Sequence, residues 1–163
     1  MRYEAPGSVD EAVKLLADAN GAARILAGGT DLLVQLRAGM ISPEVVVDIK
    51  NIAETEGITA DGGGFCIGST VSGAAMGEHA DLCAAWPGVV EGVELIGSTQ
   101  VQGRATMVGN LCNASPAADG VPALIAAGAT CTIVGPKGQR EVPVADIPTG
   151  PGKNSLANGE FVI

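Results

Sequence analysis

The run Val45-Val46-Val47-Asp48-Ile49 constrains the fold more than any other stretch of this chain. Its β-branched side chains lose χ1 freedom in a helix and pack well on a pleated surface, so the run reads as the clearest strand in the sequence. What precedes it sets its context. Arg2–Ala5 reads as a short strand. Ser8 suits a helix N-cap, and Glu11 three residues later completes a capping box. The helix Val9–Ala19 carries Val13, Leu15 and Leu16 along an apolar stripe, and Asn20-Gly21 stops it. Ala23–Ala27 reads as a buried strand and Leu32–Ala38 as a helix closed by Gly39. The order β-α-β-α-β predicts a small α/β lobe over residues 1–50 with parallel strand pairing.

Beyond Asn51 the texture changes, and residues 51–163 read as a second, α+β lobe. Ile58–Ala60 and Phe65–Gly68 flank the turn Asp61-Gly62-Gly63-Gly64 as a hairpin. Helical stretches follow at Val71–Met76, His79–Ala85 and Gly88 to about Leu95. Ile96 to Asp119 is glycine-rich and weakly patterned. Pro122–Ala127 is helical, Thr130–Val134 is a strand, and Gln139–Val142 returns beside it. Pro148 to Lys153 is expected to be a loop, and Glu160–Ile163 a strand that has only begun.

Composition narrows the function. Aromatics are limited to Tyr3, Phe65, Trp86 and Phe161, so the core must be built from Val, Ile, Leu and Ala. A net charge of -9 argues against nucleic acid and against anionic membrane surfaces. Cys66, Cys83, Cys112 and Cys131 contain no C-x-x-C pair, so neither zinc nor an iron–sulfur cluster is expected on this chain; they are placed in the core or at its edge. No signal peptide is visible, and the longest uncharged run, Gly120 to Pro136, is broken by Pro122, Gly128 and Gly135. A cytoplasmic location without a membrane span is expected.

Two segments carry polar chemistry. In Ile25-Leu26-Ala27-Gly28-Gly29-Thr30-Asp31-Leu32 a buried strand runs into two glycines and then a helix. Amides at such a turn lack helical partners, and the helix dipole adds positive potential, which suits a phosphate. Thr30 or Asp31 would cap the helix while the backbone binds. An ordinary capped strand–turn–helix joint has the same pattern. The second segment runs from Thr106-Met107-Val108-Gly109-Asn110 through Leu111-Cys112 to Asn113-Ala114-Ser115-Pro116-Ala117-Ala118-Asp119. Its hydroxyls and amides could bond phosphate or ribitol oxygens, and Asp119 a ribose hydroxyl. The alternative is a loop in which Ser115-Pro116 starts the next helix and Asp119 caps it.

Together these segments resemble the two FAD motifs of molybdenum hydroxylase flavoproteins, the medium subunits of the xanthine dehydrogenase, carbon monoxide dehydrogenase and aromatic acyl-CoA reductase group. Tyr3-Glu4-Ala5-Pro6, Ser8-Val9-Asp10-Glu11-Ala12, and Gly150-Pro151-Gly152-Lys153 with Leu156, Gly159 and Glu160 extend the resemblance over nearly the whole chain. It implies an α+β, two-lobed FAD-binding domain of the vanillyl-alcohol-oxidase/PCMH type. It places the backbone of Ala27, Gly28, Gly29, Thr30 and Asp31 on the pyrophosphate and Thr106, Gly109, Asn110 and Asp119 on the phosphate–ribose portion, with Leu26, Leu32, Met107 and Val108 also among the cofactor-binding residues. Ile96 would lie near the flavin. Val108 stands where the family usually has a second glycine, and the family's C-terminal domain is expected to be absent.

The resemblance further implies an electron-transfer subunit of a heterotrimeric molybdenum hydroxylase or dehydrogenase complex. Molybdopterin would reside on a large partner subunit and [2Fe–2S] clusters on a small one, with NAD or a quinone as acceptor. No side chain here reads as a catalytic acid or base. The competing readings are a self-sufficient flavin oxidase and a cofactor-free assembly subunit. Charged bulk at Gly28 is expected to abolish flavin retention with the fold largely intact. His79, the lone histidine, reads as a surface residue, and Gly150-Pro151-Gly152-Lys153 lacks the spacing of a phosphate loop.

Overall fold

The computed structural model describes residues 1–163. Strands β1 (Arg2–Glu4), β2 (Ala23–Leu26) and β3 (Val45–Asp48) form one parallel sheet in the order β1-β3-β2. Every residue of β3 is buried, as expected of the central strand of a parallel sheet. Helices α1 (Val9–Asp18) and α2 (Leu32–Arg37) supply the crossovers. Ser8 Oγ accepts the Glu11 N–H at 3.3 Å, while the Glu11 carboxylate accepts the Gly7 N–H at 3.0 Å. The reciprocal half of the capping box thus lands one residue before the cap. Ala12 and Leu16 are the buried rungs of α1, with Val9, Val13 and Leu15 packed beside them.

After β3, β4 (Ile58–Asp61) and β5 (Gly64–Ile67) form the expected hairpin. Gly62 and Gly63 both take positive φ at its turn, which a side chain would disfavour. Helices α3 (Gly73–Gly77), α4 (Ala80–Ala85) and α5 (Pro87–Glu94) follow. The segment from Ile96 to Asp119 is more regular than its composition suggested, because it folds into α6 (Thr99–Gln102) and α7 (Met107–Asn113). Gly109 and Asn110 are poor helix formers, so propensity concealed α7. Tertiary burial of Met107 and Leu111, one turn apart, overrides that propensity. Helix α8 (Gly120–Ala126) then packs on α5 and α7.

Strands β6 (Thr130–Gly135), β7 (Gly138–Pro143) and β10 (Phe161–Val162) make an antiparallel sheet in the order β10-β6-β7. Pro148 to Lys153 is not an open loop, since β8 (Pro148–Gly150) and β9 (Lys153–Asn154) pair as a small hairpin. The Gly152 N–H donates to Ala114 O, and Asn154 Nδ2 to Cys112 O, each at 2.8 Å, so this hairpin is fastened to the end of α7. Three apolar clusters fill the molecule. The first joins Ala12, Leu16, Val45, Val47 and Ile49 to Val134 and Phe161, so the end of the described chain closes the core of its beginning. No helix is long and apolar enough to cross a membrane.

Candidate functional site: a cleft between the glycine turn and helix α7

Strand β2 ends at Leu26 and α2 begins at Leu32, leaving Ala27–Asp31 as the turn. None of the N–H groups from Ala27 to Leu32 donates to another group of the chain. Asp31 occupies the cap position of α2 but makes no side-chain cap bond, and Thr30 makes none either, so the expected capping by these residues is not present. An Asp31 φ of -91° with ψ of -47° is already helical, whereas a capping side chain requires an extended backbone. Gly29 has φ +78°, a left-handed conformation that turns the chain sharply out of the sheet.

Gly28 serves a different purpose. A Cβ there would overlap the carbonyl oxygen of Arg104 and stand 3.1 Å from Ala105 Cα. The turn therefore touches, backbone to backbone, the segment that leads into α7. Thr106 caps that helix, accepting the Gly109 N–H on Oγ1 at 2.9 Å. Ala105 O in turn accepts the Gly73 N–H at 2.9 Å.

Between the turn and α7 lies a cleft of about 710 Å³. Ala27, Gly28, Gly29, Thr30, Asp31 and Leu32 line it from one side, and Ile96, Thr106, Val108, Gly109 and Asn110 from the other. Three of the expected residues do not line it. Leu26 packs under the turn, its Cδ1 2.7 Å from where a Gly29 Cβ would stand. Met107 is only 4% exposed and belongs to the second apolar cluster. Asp119 is exposed at the start of α8 and makes no side-chain cap bond, because its backbone is already helical. Val108 packs its side chain against the third cluster as well as lining the cleft. Its bulk is therefore shared between core and cleft.

Residues that sequence reasoning passed over also gather here. The segment Leu156 to Val162 forms part of the wall. Ser69, only 1% exposed, lines the cleft just after β5. Behind the turn, Lys50 Nζ donates to Ala27 O at 3.3 Å and to Asp48 Oδ1 at 2.7 Å, while Tyr3 Oη donates to Asp48 Oδ2 at 2.6 Å. This network ties β1 and β3 to the carbonyl at which the turn begins. Asp48 offered one signal, a carboxylate ending an otherwise aliphatic strand. Ser69 offered none.

The titratable groups that line the cleft are Arg24, Asp31, Cys112 and Glu160. Burial, with the Cys131 thiol adding to it, pushes Cys112 up to about 12, so it keeps its proton. Glu160 accepts two bonds from Arg140, at 3.0 and 2.8 Å, and the Ala157 N–H at 2.8 Å. The Arg140 hydrogen bonds hold its carboxyl below the ordinary value of 4.5 despite partial burial. For Asp48, burial pushes the pKa upward, but the bonds from Lys50 and Tyr3 and the Lys50 charge together outweigh it and bring it below 3.8.

Both carboxyls are thus depressed, so the stability they contribute is complete above their ordinary values and lost as pH falls through their folded ones. The thermal midpoint is expected to hold steady down to about pH 5 and decline below it. In the same titration the gap between wild type and Asp48→Asn should narrow as acid is added. A gap of constant size would show that the charge on Asp48 contributes nothing.

Against known proteins, the family described as the FAD binding domain in molybdopterin dehydrogenase matches residues 1–163. The chain is 36% identical to the xanthine dehydrogenase FAD-binding subunit of Escherichia coli O157:H7, over 99% of this chain and 55% of that protein. It is 32% identical to the carbon monoxide dehydrogenase medium chain of Hydrogenophaga pseudoflava, over 99% of this chain and 56% of the relative. Among solved structures, the reconstituted CO dehydrogenase from Oligotropha carboxidovorans superposes with a TM-score of 0.95 at 30% identity, covering 99% of this chain and 57% of that one. The chain therefore spans a little over half the length of the relatives it matches.

Proposed function

The chain belongs to the family of FAD-binding domains of molybdopterin dehydrogenases, and from that premise we propose that it holds FAD along the cleft as the electron-transfer part of a larger dehydrogenase. The observation that carries this reading is the run of unpartnered amides from Ala27 to Leu32 on the cleft wall. Consecutive free N–H groups in a turn form a cradle for an anion, and a diphosphate supplies the matching row of acceptors. A cleft of about 710 Å³ is also of the size that cofactor sites have.

In this reading the lobes of residues 1–50 and 51–163 grip the cofactor from either side. The turn amides take the diphosphate, and the network of Lys50, Asp48 and Tyr3 steadies the turn from behind. Thr106 and Gly109 lie along the phosphate–ribose portion, and Asn110 faces the cofactor from the same helix. Ile96 offers apolar surface to the flavin ring and keeps water from it. When bound, the flavin supplies the redox chemistry, taking electrons from one carrier and giving them to another. By the same family reading, those carriers are [2Fe–2S] clusters on a small subunit, supplied by a molybdopterin-binding large subunit, and an acceptor such as NAD or a quinone.

A self-sufficient oxidase would need a base beside the ring. Of the acidic groups lining the cleft, Cys112 is a protonated thiol, Glu160 is already engaged by Arg140, and Asp31 stands on the turn that takes the diphosphate, away from the ring, which favours the relay. The test is a fluorescence titration of the flavin-free protein. FAD should bind, ADP should displace it, and riboflavin, which lacks the diphosphate, should bind at least about tenfold more weakly. Riboflavin binding as tightly as FAD would remove the turn from the site.

A further inference from the structure

Ser69 stands between two anchored neighbours. The Gly68 N–H donates to Gly57 O at 2.9 Å, and a Cβ on Gly68 would overlap the Thr55 carbonyl. Thr70 donates both its N–H, at 2.9 Å, and its hydroxyl, at 2.8 Å, to Thr55 O. Thr55 is itself fully buried, and its hydroxyl reaches Ile49 O and Ile52 O at 2.9 and 2.8 Å. The backbone at Ser69 is consequently held in one place.

Yet Ser69 has no partner of its own. Its N–H donates to nothing in the chain, and its Oγ is buried without a hydrogen bond. Asn110 Oδ1 is the other buried side-chain oxygen without a partner, and both residues line the same cleft. Gly120 leaves room for the Asn110 amide, since a Cβ there would stand 3.4 Å from Oδ1. Native folds rarely leave such groups orphaned, because an unmade hydrogen bond destabilises the chain that holds it. Two of them lining one cleft, one rigidly mounted, point to a ligand that completes them.

We propose that Ser69 is a cofactor-contacting residue: with the Asn110 carboxamide it hydrogen-bonds the ribityl hydroxyls of FAD. The proposal rests on the FAD reading above. Its chemistry follows from the donor set. A hydroxyl and a carboxamide both donate and accept, as polyol hydroxyls do, whereas a diphosphate only accepts and is matched by the turn amides. Neither Ser69 nor Asn110 brings a positive charge to the cleft.

The experiment compares wild type with Ser69→Ala in the purified, flavin-free protein. FAD affinity is read by flavin fluorescence, ADP affinity by competition, and stability by the thermal midpoint without ligand. Ser69→Ala should weaken FAD about fivefold and leave ADP, which has no ribityl chain, unchanged. It should also keep or raise the ligand-free midpoint, since an orphaned hydroxyl is removed. Unchanged FAD affinity in the variant would overturn the proposal. So would a lowered midpoint with equal losses for FAD and ADP, the mark of a purely structural serine. A wild-type protein that binds neither ligand would overturn the FAD assignment itself, and this inference with it.

Discussion

Gly28→Ala is expected to lower the thermal midpoint and strip the protein of flavin in the same step. A methyl group at this position meets only backbone: the Arg104 carbonyl, with its carbon 2.9 Å away, and Ala105 Cα at 3.1 Å. No side chain can rotate to make room. Ala105 is itself 3% exposed and bonded to Gly73, so the segment cannot retreat without disturbing α3 and the Thr106 cap. Relief requires the turn to move away from α7, which widens the cleft where the cofactor would sit. Overpacking of this kind typically costs about 1–3 kcal/mol, and a backbone-to-backbone overlap belongs at the upper end.

Gly29→Ala provides the contrast. Its Cβ would meet the Leu26 and Leu33 side chains, which can turn aside, and the remaining cost is the left-handed φ, about 1–2 kcal/mol. Calorimetry of both variants, with flavin content measured on the same samples, checks the ordering Gly28 above Gly29. The sequence alone suggested that bulk at Gly28 would remove flavin and spare the fold. The contact with Arg104 couples the two losses, and a Gly28→Ala protein of unchanged midpoint would restore the simpler view.

Phe161→Ala should be the most damaging truncation of a core side chain, costing about 3–5 kcal/mol. The ring is 1% exposed and packs in the cluster formed by Ala12, Leu16, Val45, Val47 and Ile49. Its strand pairs with β6, so Phe161 lies opposite Val134, while the next residue, Val162, packs in the third cluster. Loss of the ring leaves a cavity where β10, paired with β6, packs against α1 and β3. Domains of this kind are stable by only about 5–15 kcal/mol, so a large share of the total is at stake. Urea unfolding monitored by circular dichroism should show a much lower midpoint. Leu95→Ala, at a residue 67% exposed, should hardly move it. A loss of less than about 1 kcal/mol for Phe161→Ala would mean that β10 does not tie the β6 sheet to α1 and β3.

The amino-acid sequence by itself determined the parallel β1–β3–β2 sheet, the β4–β5 hairpin and the approximate bounds of most helices. These follow from local causes: β-branched runs, caps, and glycines at turns that need positive φ. It also determined the two polar segments and, through their resemblance to a flavoprotein family, the family to which the chain belongs. Tertiary structure alone decided α7, whose glycine and asparagine hide a helix that exists because Met107 and Leu111 are buried. It decided that Gly28 touches the Arg104–Ala105 segment, that residues 156–162 wall the cleft, and that Ser69 is buried there without a partner. The division has one physical reason. Hydrogen bonds and side-chain periods within a few residues leave their mark on neighbouring letters, whereas an approach between Gly28 and Arg104 exists only once the chain has folded back on itself.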